Sequence, residues 1–92
     1  MVAALIYHDK VMEKDGGIVE VKIWSVPVVS DKPHGYKYSL VYIKHGIRIV
    51  GYDNAEGKGD HRHYGDKEEA YEFKDISKLY RDFYQDVRRS KK

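Results

Sequence analysis

The residues whose types could do chemistry are concentrated in one polar segment, residues 53–64, which directly follows an apolar run of the β type. Within it, the string Asp60-His61-Arg62-His63 places two histidines one residue apart. If the string is extended, both imidazoles point to one side and Arg62 points to the other, because side chains alternate along a strand. Each imidazole titrates near neutral pH, so the two can act as general base and general acid.

Such a pair suits the cleavage of RNA. One imidazole would accept the proton of the 2′-hydroxyl group, and the other would protonate the leaving 5′-oxygen. Cations would stabilise the phosphate, glycine amides could approach it, and aspartates could orient an imidazole or a cation. The candidate catalytic residues are His61, His63, Asp53 and Asp60. The candidate phosphate-binding residues of this segment are Lys58, Arg62, Gly57 and Gly59.

Other interpretations of the segment stay open. His-x-His with Asp53 or Asp60 is a feasible ligand set for zinc or manganese, which would indicate a metal-dependent nuclease. The segment could also bind a protein or a nucleic acid without chemistry. Its aspartates and glycines could instead form turns that leave the histidines merely exposed. Of these, we expect metal-independent cleavage, with no cofactor and no metal ligands.

The composition is that of one small domain, residues 1–92. Of its residues 41% are hydrophobic and 35% charged, and the absence of cysteine excludes disulfides and thiolate zinc sites. The N-terminus lacks a signal-peptide pattern, and no apolar run approaches the roughly 20 residues that cross a bilayer, so we expect no membrane association. The net charge of +2 is a weak signal for nucleic acid, although residues 34–64 hold four of the five histidines.

Alternating apolar residues and turn residues predict a succession of strands before the C-terminus. The expected strands are residues 3–12, 18–27, 35–44 and 47–53, with a short edge strand near residues 70–73. His45-Gly46 is expected to be the two-residue turn of a hairpin. Residues 54–65 are expected to be a loop, which contains most of the polar segment.

One sheet face of this hairpin adds three candidate binding residues. The expected register pairs Lys44 with Ile47, Tyr42 with Ile49, Leu40 with Gly51 and Tyr38 with Asp53. Asp53 would then lie on the face of the strand tyrosines, near the strand entry at His34. Tyrosine rings can stack on bases, and a third histidine could contact phosphate. The residues added on these grounds are His34, Tyr36 and Tyr38.

A helix is expected over about residues 76–90. Asp75 is a suitable N-cap, and apolar residues recur after it at helical spacing. The predicted fold is therefore α+β: a four- to five-stranded, mainly antiparallel sheet with one C-terminal amphipathic helix packed on it. An exposed edge strand of such a sheet is compatible with a homodimer.

The chain resembles the TumE-like family of small toxins from toxin–antitoxin pairs, over nearly its whole length. The motifs that carry the resemblance are Pro33-His34-Gly35-Tyr36-Lys37-Tyr38, Gly51-Tyr52-Asp53-Asn54, Gly57-Lys58-Gly59-Asp60-His61-Arg62-His63, Tyr71-Glu72-Phe73, Asp82-Phe83 and Asp86-Val87-Arg88-Arg89. The resemblance implies a cytoplasmic toxin whose partner is a small helix-turn-helix antitoxin. It marks positions 53, 54 and 57–63 as a signature. The resemblance implies no mechanism, so the roles of base and acid are assigned from the chemistry of the residues alone.

Overall fold

A computed structural model describes residues 3–30, 32–54 and 59–91. Its elements are β1 (Ala4–Met12), β2 (Ile18–Ser25), β3 (Tyr36–Lys44), β4 (Ile47–Asp53), β5 (His61–Tyr64), β6 (Lys67–Ala70) and α1 (Ile76–Ser90). The strands form one antiparallel sheet in sequence order, β1 to β6. The predicted α+β architecture is confirmed, with six strands instead of four or five.

One face of the sheet holds the core because the strand sequences alternate. Val19, Val21 and Ile23 of β2 are buried, and their intervening neighbours are not. In β3, Tyr38, Leu40 and Tyr42 are buried in the same way. These side chains pack with Val50, Tyr52 and the buried stripe of α1, Leu79, Phe83 and Val87. The tyrosines of β3 are therefore mainly core residues.

Helix α1 covers the core face of the sheet. Its N-cap is Asp75, as predicted, and the Asp75 side chain accepts a hydrogen bond of 2.7 Å from the Lys78 N–H. In the described part of the chain, no helix lies on the opposite face, which we call the open face. No helix of this part is both long and apolar enough to span a membrane.

A β-bulge between β3 and β4 changes the register that the sequence predicts. The turn itself is as expected, with His45 at φ 55° and Gly46 at φ 74°, and Lys44 pairs with Ile47. The register then shifts by one residue, so that Ile43 pairs with Arg48 but Tyr42 pairs with Val50. A bulge of this kind inserts one extra residue into a strand and reverses which face the following residues occupy.

The predicted pairing of Tyr38 with Asp53 is therefore wrong. Asp53 pairs with Ser39 and lies on the open face, away from the buried ring of Tyr38. Val50 and Tyr52, which the predicted register placed on the other face, are fully buried in the core. The bulge thus moves the one carboxylate of β4 to the face that is free of the helix.

The predicted loop of residues 54–65 contains a strand. Residues 61–64 form β5, and Gly65-Asp66 make the turn into β6, with Gly65 at φ 63°. The edge strand is Lys67–Ala70, three residues earlier than the predicted start at residue 70. Because β5 is a strand, the alternation of the histidines with Arg62 is fixed by the sheet.

Candidate functional site

His61 and His63 lie on the open face, at the neighbouring ends of β4, β5 and β6. His61 pairs with Asp53 of β4, and His63 pairs with Glu68 of β6. Residues that pair across strands share a face, so all four side chains point the same way. We call Asp53, His61, His63 and Glu68 the open-face cluster.

The reactive nitrogens of this cluster converge. His61 Nε2 lies 2.7 Å from Asp53 Oδ1, and Glu68 Oε2 lies 3.4 Å from the Nε2 atoms of both histidines. The two imidazole rings are 5.2 Å apart between centroids and inclined at 78°. His61 is only 8% exposed, whereas the Glu68 side chain is 45% exposed. The cluster is therefore fixed at the histidines and open to solvent at Glu68.

The orientation of the His61 ring is set by the backbone. Its Nδ1 lies 3.1 Å from the carbonyl oxygen of Gly59, which can only accept a hydrogen bond. Nδ1 must therefore carry the hydrogen, and Nε2 is directed into the cluster. Gly59 itself has φ 76°, a left-handed conformation that glycine adopts without strain. Gly59 is predicted to bring its amide to a phosphate, whereas the contact in the structure is made by its carbonyl group, which positions His61.

The environment of His63 favours its neutral form. Burial lowers the pKa of His63 below its usual value, and the nearby charge of Arg48 lowers it further. Arg48 extends over Gly51, where its Cδ would lie 3.0 Å from an added Cβ. Gly51 pairs with His63, so the absence of a side chain at Gly51 lets this cation approach the cluster.

Asp60 and His34 form a second, separate set of contacts. The Asp60 carboxylate accepts hydrogen bonds from the Tyr38 hydroxyl (2.7 Å) and from His34 Nε2 (2.9 Å). The Tyr36 N–H donates to His34 Nδ1, which makes Nε2 the protonated nitrogen of a neutral ring. Burial and the bond to Asp60 raise the pKa of Tyr38. These residues hold the start of β3 to the chain that enters β5.

Arg62 lies on the core face, opposite the two histidines. Its guanidinium contacts Asp86 of α1 and the Tyr52 hydroxyl, each at 3.2 Å, and Glu69 of β6 at 2.7 Å. Asp86 is buried and also accepts from Arg89. Arg62 therefore ties the sheet to the helix, and the structure does not bring it together with His61 and His63.

Asn54 closes the far end of β4. It is fully buried, accepts a hydrogen bond from the Tyr38 N–H and donates to the Tyr36 carbonyl. The Asn54 side chain thus continues the hydrogen bonding between β3 and β4 beyond the last paired residue of β4. These bonds fix the end of β4, where Asp53 lies. Tyr36 is thus involved through its backbone and through packing against the core. Gly57 and Lys58, the remaining predicted residues, lie outside the described residues.

The rest of the open face in the described residues carries several cations among polar and apolar side chains, the apolar ones including Ile18, Val41 and Ile43. The row that contains Asp53 and His61 continues through Ser39 and Lys22 to His8. In the adjacent row, Trp24 pairs with Lys37, whose ammonium lies 5.1 Å from the indole ring. The cations of this face are Lys10, Lys22, Lys37 and Arg48, and its carboxylates are Glu20, Asp53 and Glu68.

Three residues of this face were missed by sequence reasoning. Glu68, Arg48 and Trp24 are not among the candidate residues that the sequence predicts. The signal for Glu68 was the Gly65-Asp66 turn, because a two-residue turn after His63-Tyr64 places Glu68 opposite His63. The predicted register already places Arg48 opposite Ile43, but its approach to the cluster depends on the bulge, which brings Gly51 onto the same face.

In the described part of the chain, three side chains could hold a metal ion together. Asp53, His61 and His63 each offer one ligand atom, and these atoms all lie within 4.8 Å of one another. A carboxylate and two imidazoles are a ligand set of several divalent transition metals.

Comparison with known proteins identifies a family but no characterised relative. Neither the curated proteins nor the solved structures contain a match. A family model described as Toxin TumE matches residues 3–91, nearly the whole chain. The chain therefore belongs to the TumE toxin family.

Proposed function

We propose that this toxin cleaves RNA at the open-face cluster. Membership of a toxin family implies an antitoxin partner, and we propose a small helix-turn-helix protein in that role. The observation that carries the proposal is the convergence of both Nε2 atoms within 3.4 Å of one Glu68 oxygen, on a face without a helix. Two titratable rings that meet at a solvent-exposed carboxylate, beside cations, suit reaction at a phosphodiester.

The charge of the open face supports a polyanionic substrate. Lys22 lies three strands from His61, about 14 Å at the usual spacing of strands. Trp24 and Lys37 lie one row further along. Indole rings stack on bases without sequence preference, and lysines follow the phosphate backbone. A single-stranded RNA crossing β4, β3 and β2 would therefore extend from the cluster towards Trp24.

The leading mechanism needs no metal. One imidazole accepts the 2′-hydroxyl proton as that oxygen attacks the phosphorus, and the other gives a proton to the leaving 5′-oxygen. Asp53 holds the His61 ring, and Arg48, whose charge acts on His63, could stabilise the phosphate. In this mechanism Arg62 and Asp60 act on the fold, through the contacts described above.

A metal-dependent nuclease is the second candidate. It is favoured by one observation, the three ligand atoms of Asp53, His61 and His63 within 4.8 Å. A divalent ion there would supply an activated water and stabilise charge on the phosphate. The two candidates use the same residues and differ in their response to a chelator.

The test is incubation of the purified, untagged chain with total RNA, with and without EDTA. Cleavage that survives EDTA supports the histidine pair, and cleavage that EDTA removes and Zn²⁺ or Mn²⁺ restores supports the second candidate. Intact RNA under both conditions, from a sample with a cooperative thermal transition, would overturn the proposed function.

RNA binding can be followed through Trp24, the only tryptophan. Single-stranded RNA should quench its fluorescence, and raising the salt from 50 to 200 mM should weaken binding about tenfold for two or three phosphate contacts. The His61→Ala/His63→Ala variant keeps the RNA intact during the titration. Lys22→Ala/Lys37→Ala should weaken binding about tenfold.

The matched control for this prediction is Arg81→Ala/Arg88→Ala, which removes two exposed cations from α1. It lowers the net charge by the same amount but leaves the open face unchanged. If both double variants weaken RNA binding equally, the open face has no special role. Quenching by double-stranded and single-stranded RNA with equal affinity would also argue against stacking on Trp24.

A further inference from the structure

We infer that the open-face cluster is a binding site for one Zn²⁺ ion, with Asp53, His61 and His63 as its ligands and Glu68 at the fourth position. The inference deepens the proposed function by naming an ion for the same residues. Ion binding can be measured without RNA, so the two can fail separately.

Two distances within the cluster match those between neighbouring ligands of a tetrahedral zinc site. Zinc bonds of 2.0–2.1 Å place neighbouring ligand atoms about 3.3 Å apart. Glu68 Oε2 lies 3.4 Å from His61 Nε2 and 3.4 Å from His63 Nε2. Asp53 Oδ1 lies 2.7 Å from His61 Nε2, a direct contact that the ion would replace. This pair would have to separate by about 0.6 Å, and the ligand atoms of Asp53, His61 and His63 all lie within 4.8 Å of one another.

The surroundings of the cluster hold its ligands in the orientation that a metal requires. Metal-binding histidines usually donate their second N–H to a carbonyl or carboxylate, which directs the other nitrogen at the ion. His61 has this arrangement, with Nδ1 on the Gly59 carbonyl and Nε2 in the cluster. Asp53 is followed by the fully buried Asn54, whose two hydrogen bonds fix the end of β4. The ligands therefore come from rigid strands.

The donor set favours zinc over calcium or magnesium. Imidazole nitrogens suit zinc, copper and nickel, whereas calcium and magnesium prefer oxygen ligands. Two carboxylates and two neutral imidazoles also balance the charge of a divalent ion. Another histidine of this face, His8, lies 2.8 Å from Glu20. That pair offers only two ligand atoms, so we do not expect it to bind zinc as the open-face cluster does.

Binding of the ion has a consequence for catalysis. The ion takes the Nε2 atoms of both histidines, which are the same atoms that the metal-free mechanism uses as acid and base. A zinc-loaded protein cannot use them for proton transfer. The metal content therefore decides which of the two proposed chemistries the protein can perform.

The experiment is a calorimetric titration of ZnCl₂ into untagged protein that has been freed of metal with EDTA and dialysed. We expect one equivalent to bind with a Kd below about 1 μM, and CoCl₂ to give the visible absorption of a tetrahedral site. Asp53→Asn should weaken Zn²⁺ binding at least about 100-fold, and Glu68→Gln about tenfold, because its side chain is more exposed. His8→Ala is the matched control and should bind like the wild type.

Absence of heat and of any Zn²⁺-dependent rise in Tm would overturn the inference. So would binding that Asp53→Asn leaves unchanged, because the ion would then lie elsewhere. Thermal melts of the apo variants show whether they are folded, and His61→Gln serves as a second variant if Asp53→Asn does not fold. If the protein binds zinc but leaves RNA intact, the zinc site is supported and the proposed function is wrong. If it cleaves RNA without binding zinc, the proposed function is supported and the zinc site is wrong.

Discussion

Replacing His61 and His63 together by alanine should lower the rate of RNA cleavage by about a thousandfold or more. General acid–base catalysis by positioned side chains contributes about 100- to 10,000-fold, and the loss of both groups removes it. The second candidate mechanism predicts the same result, since two of its three ligands disappear. The measurement is the first-order rate of cleavage of a defined RNA under single-turnover conditions, which separates chemistry from product release.

The control for this prediction is His8→Ala, which removes an imidazole from the same sheet face. His8 lies on the edge strand β1 and bonds to Glu20, four strands away from His61. We expect its rate to stay within about twofold of the wild type. Equal losses in His8→Ala and in the double variant, or residual cleavage in the double variant above a tenth of the wild-type rate, would show that the open-face cluster is not the reaction site.

The features that the sequence predicts correctly are those with local causes. Alternation in β2 and β3, the His45-Gly46 turn and the N-cap at Asp75 each depend on residues close together in the chain. The same alternation correctly places His61 and His63 on one side and Arg62 on the other. Period-two reasoning succeeds there because β5 is a regular strand.

The bulge near Tyr42 had no such local signal. It adds Ile49 to β4, and from that point every residue of β4 lies on the face opposite to the predicted one. An extra residue is tolerated because it lets both Val50 and Tyr52 reach the core. Tertiary packing therefore decided the register, and the position of Asp53 beside His61 followed from it.

The partners of Asp60 and Arg62 could not be predicted from the sequence either, because they are far away along the chain. Asp60 bonds to His34 and Tyr38, 26 and 22 residues away, and Arg62 meets Asp86, 24 residues away. A charged residue beside a candidate catalytic histidine looks functional in sequence, although alternation had already placed Arg62 on the other side. The contacts of these two residues join β3 and α1 to the strand that carries the histidines.

Asp86→Ala should therefore destabilise the protein strongly while leaving the open-face residues in place. The Asp86 side chain is 3% exposed. Its loss would remove the α1 partner of the Arg62 guanidinium and would leave the Tyr52 hydroxyl only its longer donated bond of 3.4 Å to the Asp82 carbonyl oxygen. Breaking one side of a buried ion pair costs about 3–5 kcal/mol, and the 30% exposure of Arg62 reduces this to about 2–4 kcal/mol. For a domain of this size the Tm should fall by roughly 10–20 °C.

Asp82→Ala on the same helix is the matched comparison. Asp82 binds Lys78 and Tyr71, but its side chain is 22% exposed, so water can replace its partners and the loss should be about 1 kcal/mol or less. Thermal melts and urea titrations of both variants give the two free energies of unfolding. Equal values would contradict the role of burial at Asp86. If Asp86→Ala also cleaves RNA at the wild-type rate well below its Tm, then Arg62 and its partners support the fold, and the chemistry belongs to the opposite face of the sheet.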